Sequence, residues 1–135
     1  VIMKQYPNFI FTMDSAFYYW NLTDVIPEQF NLSTKKTSIR ISDEDIKQYF
    51  IEEELFELGK TTLFVEHVEI NIYDKERLLV ELVIKKNQIP FDYYKEIISN
   101  YRKIVNSLDA FKITNYISYY KNEKTLYNRV QSEVF

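Results

Sequence analysis

The sequence predicts an α+β domain, with strands in the first half of the chain and a block of helices at its end. Up to residue 73, apolar and polar residues alternate in short runs, as half-buried strands require. From Asp74 onward, apolar residues recur at spacings of three and four, which is typical of amphipathic helices. One Gly and three Pro among 135 residues leave little room for linkers, so we expect a single domain over residues 1–135.

A short helix is predicted between two extended segments at the start of the chain. Residues 3–7 fit the end of a helix, and the apolar run 9–11 fits a strand or a lead-in to the next element. Asp14 and Ser15 form a capping pair before a short, largely buried helix over residues 16–22.

A small, mostly antiparallel sheet is predicted next. Residues 30–33 and 38–41 alternate as two strands, with a turn at Lys35-Lys36 between them. Residues 46–51 fit a strand or a helix, and their aromatic and β-branched members favour a strand.

A direct strand-to-helix corner over residues 70–86 organises the rest of the chain. A strand over 68–73 passes into a helix over 75–86, and Asp74 is the predicted N-cap because its carboxylate can accept the free N–H groups of the first turn. Three more helices follow, beginning near Asp92, near Ser107 or Asp109, and near Asn122.

The composition excludes several classes of protein. The chain has no cysteine, which rules out disulfide scaffolds, thiol catalysis and cysteine-based zinc sites and fits a reducing cytoplasm. We find no signal-peptide pattern and no uncharged apolar run near the ~18 residues that a membrane span needs. We therefore expect a cytoplasmic protein with no membrane partner.

The net charge of -3 is unevenly distributed. The net charge is +1 over residues 1–41 (four basic, three acidic), -8 over 42–84 (four and twelve) and +4 over 85–135 (nine and five). Two interpretations stay open: solvated faces of opposite sign, or an anionic partner at the two ends of the chain. The candidate nucleic-acid contacts are Lys35, Lys36 and Arg40, together with the basic C-terminal helices.

No catalytic, metal or cofactor site emerges from the motifs. His67 is the only histidine and has no histidine or cysteine partner in the sequence. Asp45 and Lys47 have the Asp-x-Lys spacing of metal-dependent nucleases, although a match this short arises easily by chance. We expect no catalytic residue, no metal and no cofactor, with a nuclease-like protein as the alternative.

Tyrosine is abundant, with twelve copies in the chain. Helical spacing assigns most of the C-terminal tyrosines to the core. Tyr93, Tyr119 and Tyr127 fall on the other faces and are candidates for a protein interface, where tyrosine is enriched.

Two stretches together resemble a known family. Residues 15–24 (SAFYYWNLTD), followed by Ile26-Pro27 and residues 30–33, resemble the SAL-x-x-x-x-Leu-Thr-Asp, Pro, strand segment of AbiEi-type antitoxins. Residues 73–82 (YDKERLLVEL) resemble that family's Asp-x-Glu-Arg-Thr-hydrophobic-x-Asp-Leu stretch. The resemblance covers essentially the whole chain.

The match departs from the family pattern at two positions: Leu78 replaces Thr, and Glu81 replaces Asp. The signature positions that the resemblance implies are Ser15, Asp74, Glu76, Arg77 and Glu81. Arg77 beside Glu81 fits either an ion pair that stabilises the fold or a contact to a partner.

The resemblance implies the C-terminal domain of an antitoxin from a type IV abortive-infection system, a phage-defence system. Such a domain opposes a nucleotidyltransferase toxin without needing a stable complex, and it supports repression of its own operon. The family's N-terminal winged-helix DNA-binding domain is absent from this chain, so operator DNA is an expected partner mainly of that missing domain. A generic protein-interaction module remains a further alternative.

Overall fold

A computed structural model describes residues 8–135, and this range forms a five-stranded sheet packed against helices. The strands are β1 (Ile10–Phe11), β2 (Phe30–Lys35), β3 (Ile46–Ile51), β4 (Lys60–Val65) and β5 (Val68–Tyr73). The α-helices are α1 (Met13–Tyr19), α2 (Glu53–Phe56), α3 (Lys75–Ile84), α4 (Phe91–Lys103), α5 (Ala110–Ile117) and α6 (Glu123–Val134). The α+β class and the C-terminal block of three helices are confirmed. The helix end predicted over residues 3–7 lies outside the described range.

The sheet is mixed, whereas the sequence predicts a mostly antiparallel one. The strand order is β3-β2-β1-β5-β4; the β1–β2 and β4–β5 pairs are antiparallel, and the β1–β5 and β2–β3 pairs are parallel. The physical reason for the β2–β3 pairing is the connection over residues 36–45. This connection carries the chain back past the start of β2 before β3 begins, so the two strands run the same way.

The strand predicted over residues 38–41 is wrong, because this segment is a loop. Its backbone is bound by one side chain: Gln48 Nε2 donates to the Ile39 carbonyl at 3.2 Å, and Gln48 Oε1 accepts the Ile41 N–H at 2.7 Å. Ile39 is 89% exposed, so the apolar alternation of this segment does not mark a buried face. Arg40 consequently lies on an exposed loop.

The predicted N-terminal helix exists but begins earlier than expected. The strand β1 passes almost directly into α1, with Thr12 as N-cap and without a side-chain capping bond. Asp14 and Ser15 therefore lie inside the first turn, and the prediction that they cap the helix is wrong. Met13 has a φ of 43°, a left-handed conformation that makes this abrupt change of direction possible.

Helix α3 lies at the centre of the domain, as the strand-to-helix corner predicts. It packs against α1, α5 and α6. Residues 78–80 and Leu82 are fully buried, as is Ile72 on β5. The helices α4–α6 add apolar faces at the predicted spacing, and their buried members include Ile97, Tyr101, Ile113 and Val130. Among residues 8–135, no helix is long and apolar enough to cross a membrane.

Candidate functional site

Asp74 caps helix α3 as predicted, and its second carboxylate oxygen binds a distant helix. Oδ1 accepts the Arg77 N–H at 2.8 Å, and Oδ2 accepts the Tyr116 hydroxyl of α5 at 2.6 Å. The Asp74 N–H donates to the Gly59 carbonyl at 2.8 Å. Burial raises the pKa of the Asp74 carboxyl, although these hydrogen bonds to the carboxylate act in the opposite direction.

Arg77 is the largest fully buried side chain of the described residues, with 1% of its surface exposed. Its Nη1 donates to the carbonyls of Leu55 and Leu58, each at 2.6 Å. Its guanidinium carbon lies 4.5 Å from the centre of the Tyr73 ring, and the Tyr73 hydroxyl donates to the Phe56 carbonyl. Arg77 thus holds the connection between α2 and β4 against the start of α3.

Gly59, the chain's one glycine, makes this close approach possible. Its φ is 80°, a conformation that side chains other than glycine rarely adopt. A Cβ at this position would lie 2.6 Å from Arg77 Cβ and 3.2 Å from Asp74 Oδ1. The tight turn at Gly59 therefore also makes room for the arginine.

Glu81 lies one turn after Arg77 and joins α3 to the segment that follows α5. Oε1 is 2.7 Å from Lys85 Nζ, and Oε2 accepts the Tyr120 hydroxyl and lies 3.7 Å from Arg77 Nε. Burial by itself would raise the pKa of the Glu81 carboxyl. The charges of Lys85 and Arg77 and the hydrogen bonds from Lys85 and Tyr120 together outweigh burial and hold that pKa below its usual value.

Glu76 positions the start of α5. Its Oε2 accepts the Asp109 N–H at 2.9 Å, while Asp109 Oδ1 accepts the N–H groups of Phe111 and Lys112. Of the two predicted starting points for this helix, Asp109 is therefore the N-cap.

Four of the predicted signature residues therefore form one network around α3, which we call the α3 network: the half-buried Asp74 and the buried Glu76, Arg77 and Glu81. Each has partners inside the domain, and together they bind the α2–β4 connection, the start of α5 and the segment after it. This geometry supports the fold-stabilising alternative for Arg77 and Glu81. The sequence reveals only the partners within one helical turn, because Tyr116, Tyr120 and the Leu55 and Leu58 carbonyls lie far along the chain.

Ser15 lies apart from the α3 network and joins α1 to the sheet. Its hydroxyl accepts the Asn31 N–H of β2 at 2.9 Å, and Ser15 is 2% exposed. The end of the same helix reaches the corner before α3, where Trp20 Nε1 donates to the Tyr73 carbonyl at 2.9 Å. Lys75 Nζ lies 5.3 Å from the centre of the Trp20 ring.

The basic residues at the end of β2 and in the loop after it are exposed, but two of them already have acidic neighbours. Lys35 Nζ is 3.2 Å from Glu53, and Lys36 Nζ is 2.7 Å from Glu52. Exposed pairs of this kind contribute little to stability, yet an anionic ligand would have to compete with them. Arg40 is not part of either pair.

The candidates for metal chemistry do not converge in the fold. His67 is the second residue of the β4–β5 turn, and Asp45 and Lys47 are exposed at the start of β3. Within residues 8–135, no three His, Cys, Asp or Glu side chains are grouped so that they could hold a metal ion.

The three interface tyrosines have different environments. Tyr93 donates to Asp14 Oδ1 at 3.1 Å and so joins α4 to α1, whereas Tyr119 and Tyr127 are 51% and 40% exposed. Tyr127 lines an open groove of about 570 Å³ between α5 and α6, and Lys121 and Lys124 line the same groove. This α5–α6 groove joins exposed aromatic and basic groups, and one acidic residue, Glu123, is also part of its lining.

No family model matches this chain, and no curated protein matches it either.

Proposed function

We propose that this chain is a non-enzymatic antitoxin domain that opposes a nucleotidyltransferase toxin in a cytoplasmic type IV abortive-infection system. The observation that supports this function most is that the two stretches resembling the family meet in space. Trp20 of the first stretch donates to the carbonyl of Tyr73 in the second, and Lys75 lies over the Trp20 ring. The resemblance therefore covers one packed unit, as expected if both stretches come from one ancestral domain.

Within this function, the residues that stabilise the fold differ from the residues that contact the toxin. Because Glu76, Arg77 and Glu81 are at most 7% exposed, they stabilise the scaffold and leave the antagonism to exposed side chains. The α5–α6 groove is the surface we assign to that role. Tyr127 supplies an aromatic anchor, and Lys121 and Lys124 supply positive charge. This combination suits a surface of the toxin that carries both apolar and acidic groups.

The function is tested by co-expression with the toxin encoded in the neighbouring reading frame. The toxin is induced alone, with the 135-residue chain, and with the complete product of the gene that encodes it. Growth restored by the chain supports the proposal. Growth that stays arrested with both the chain and the complete product, although both are soluble and folded, rejects it.

The assigned surface is tested in the same assay with a matched pair of tyrosines. Tyr127→Ala removes the groove aromatic, and Tyr119→Ala removes an exposed tyrosine that does not line the groove. We expect loss of rescue with the first variant, unchanged rescue with the second, and similar melting temperatures for both. Equal rescue by the two variants would remove the groove from the proposal.

The basic excess of residues 85–135 favours a second role, in which this domain assists operator binding. Contacts from lysines and arginines to phosphates release counterions, so the affinity for DNA should fall steeply as salt increases. Fluorescence anisotropy with labelled operator DNA over a salt series measures this slope. A flat slope, or no binding at low salt, contradicts the role.

A further inference from the structure

Strand β4 forms a regular edge of the sheet, and Lys60 is its only charged residue. Among the described residues β4 is last in the strand order and pairs only with β5. Its register from Lys60 to Val65 is continuous, so the strand has no bulge, and it contains no proline. Phe64 is 71% exposed. Regular edges of this kind are templates for pairing with another strand.

The direction of the free backbone groups follows from the turn. Glu66 and His67 form a two-residue turn with φ values of 49° and 69°, so the flanking pair Val65–Val68 exchanges both hydrogen bonds. Hydrogen-bonded pairs between β4 and β5 then recur at every second residue. The bond from the Asp74 N–H to the Gly59 carbonyl, at the end of the ladder opposite the turn, is consistent with this pattern. The N–H and C=O groups of Thr62 and Phe64 therefore point away from β5.

The sequence of this edge is complementary to itself. When two copies pair antiparallel about a two-fold axis normal to the sheet, residues directly opposite each other on the two β4 strands have their side chains on the same face of the sheet. With the axis at Leu63, Thr62 faces Phe64 of the second copy, and their outward backbone groups pair. In the same register, Lys60 faces Glu66 of the second copy at both ends of the interface, where opposite charges attract.

We propose that β4 pairs with β4 of a second copy of this chain, forming a two-fold dimer with one sheet continuous through both copies. Lys60 has a neighbour in its own chain, Glu57, but the 3.9 Å separation and the exposure of both leave it free to turn toward the second copy. A single edge strand buries less than the roughly 1,000 Å² of a stable specific interface, so we expect a weak dimer that forms only at high protein concentration.

Charge exchange tests this register. Sedimentation velocity over a concentration series compares the wild-type chain with Lys60→Glu, Glu66→Lys and the double variant carrying both. Each single variant places like charges opposite each other twice, so we expect roughly tenfold weaker association. The double variant restores opposite charges and should return to wild-type association. Lys103→Glu, which makes the same charge change at the exposed end of α4, is the matched control and should associate as the wild type does.

Thr62→Pro tests the backbone pairing separately. Proline removes an N–H that points away from β5, so the intramolecular ladder stays intact while dimer pairing is lost. A wild-type chain that remains monomeric at about 1 mM overturns the proposal, since any association with a tighter Kd would be populated there. Association that Lys60→Glu weakens no more than Lys103→Glu does, or that the double variant fails to restore, overturns it as well. Melting curves of all variants identify any that fail to fold.

Discussion

Replacing Arg77 with methionine removes the guanidinium from the α3 network and keeps an apolar side chain of similar length. In the wild type, Nη1 donates to the Leu55 and Leu58 carbonyls, and the guanidinium lies over the Tyr73 ring. The variant leaves the half-buried carbonyl oxygens of Leu55 and Leu58 without this donor and removes one of the two positive charges near Glu81. It therefore separates the fold-stabilising role of Arg77 from a role in binding a partner.

The expected loss is about 3–5 kcal/mol of unfolding free energy. A hydrogen bond to a charged group contributes about 1.5–3 kcal/mol, and Arg77 makes two of them. The two bonds together give about 3–6 kcal/mol, and removing one member of a buried ion pair typically costs about 3–5 kcal/mol. That loss is a large part of the roughly 5–15 kcal/mol that stabilises an ordinary domain, and it corresponds to a fall in Tm of roughly 10–15 °C.

Urea unfolding followed by far-UV circular dichroism measures this loss as a shift of the midpoint at constant slope. Arg102→Met is the matched control, because Arg102 is exposed and its Nε donates to the Glu133 carbonyl near the surface. We expect the control to lose less than about 1 kcal/mol. A similarly small loss for Arg77→Met would refute the reasoning, because the arginine would then be available to a partner at little cost to the fold.

Three further predictions concern the α3 network, the Gly59 turn beside it and the β4–β5 turn. The wild type should have a higher unfolding free energy than Glu81→Gln above about pH 4.3, the pKa of an unfolded glutamate, and this difference should shrink as pH falls through the lowered folded-state pKa of Glu81. Urea titrations at several pH values measure the difference. Because Asp74 is present in both proteins, the opposite contribution of its raised pKa cancels. Gly59→Ala should cost about 2–4 kcal/mol in the same assay, because the new Cβ combines a left-handed conformation with a 2.6 Å approach to Arg77 Cβ. His67→Gly should raise the Tm by about 3 °C in a calorimetric scan, because it relieves a left-handed residue that costs about 1 kcal/mol.

Each of these predictions has a clear contrary result. A free-energy difference for Glu81→Gln that stays constant in acid would mean that Lys85 and Arg77 do not hold the carboxylate in its charged form. A neutral Gly59→Ala would mean that the backbone moves away from α3 at little cost. A lower Tm for His67→Gly would mean that the histidine makes contacts in the turn worth more than the relief of its backbone conformation.

The local features of the fold could be predicted because their causes lie within a few residues. The apolar period changes at Asp74, and an aspartate at that point can cap the helix it begins. The same reasoning finds the start of α5 among two candidates and the helical faces of α4–α6. It fails at residues 38–41, because four alternating residues carry too little information to distinguish a strand from a loop that the side chain of Gln48 holds in place.

By itself, then, the sequence determined the α+β class, the strand-to-helix corner and the N-cap at Asp74. Only the tertiary structure decided the mixed strand order and the role of the charged residues around the corner. The sequence places Arg77 beside Glu81 and leaves an ion pair and a partner contact equally open. The choice depends on the Leu55 and Leu58 carbonyls and the Tyr120 hydroxyl, which lie between 19 and 39 residues away along the chain. Contacts at such separations form only when the whole chain has packed, so no local pattern encodes them.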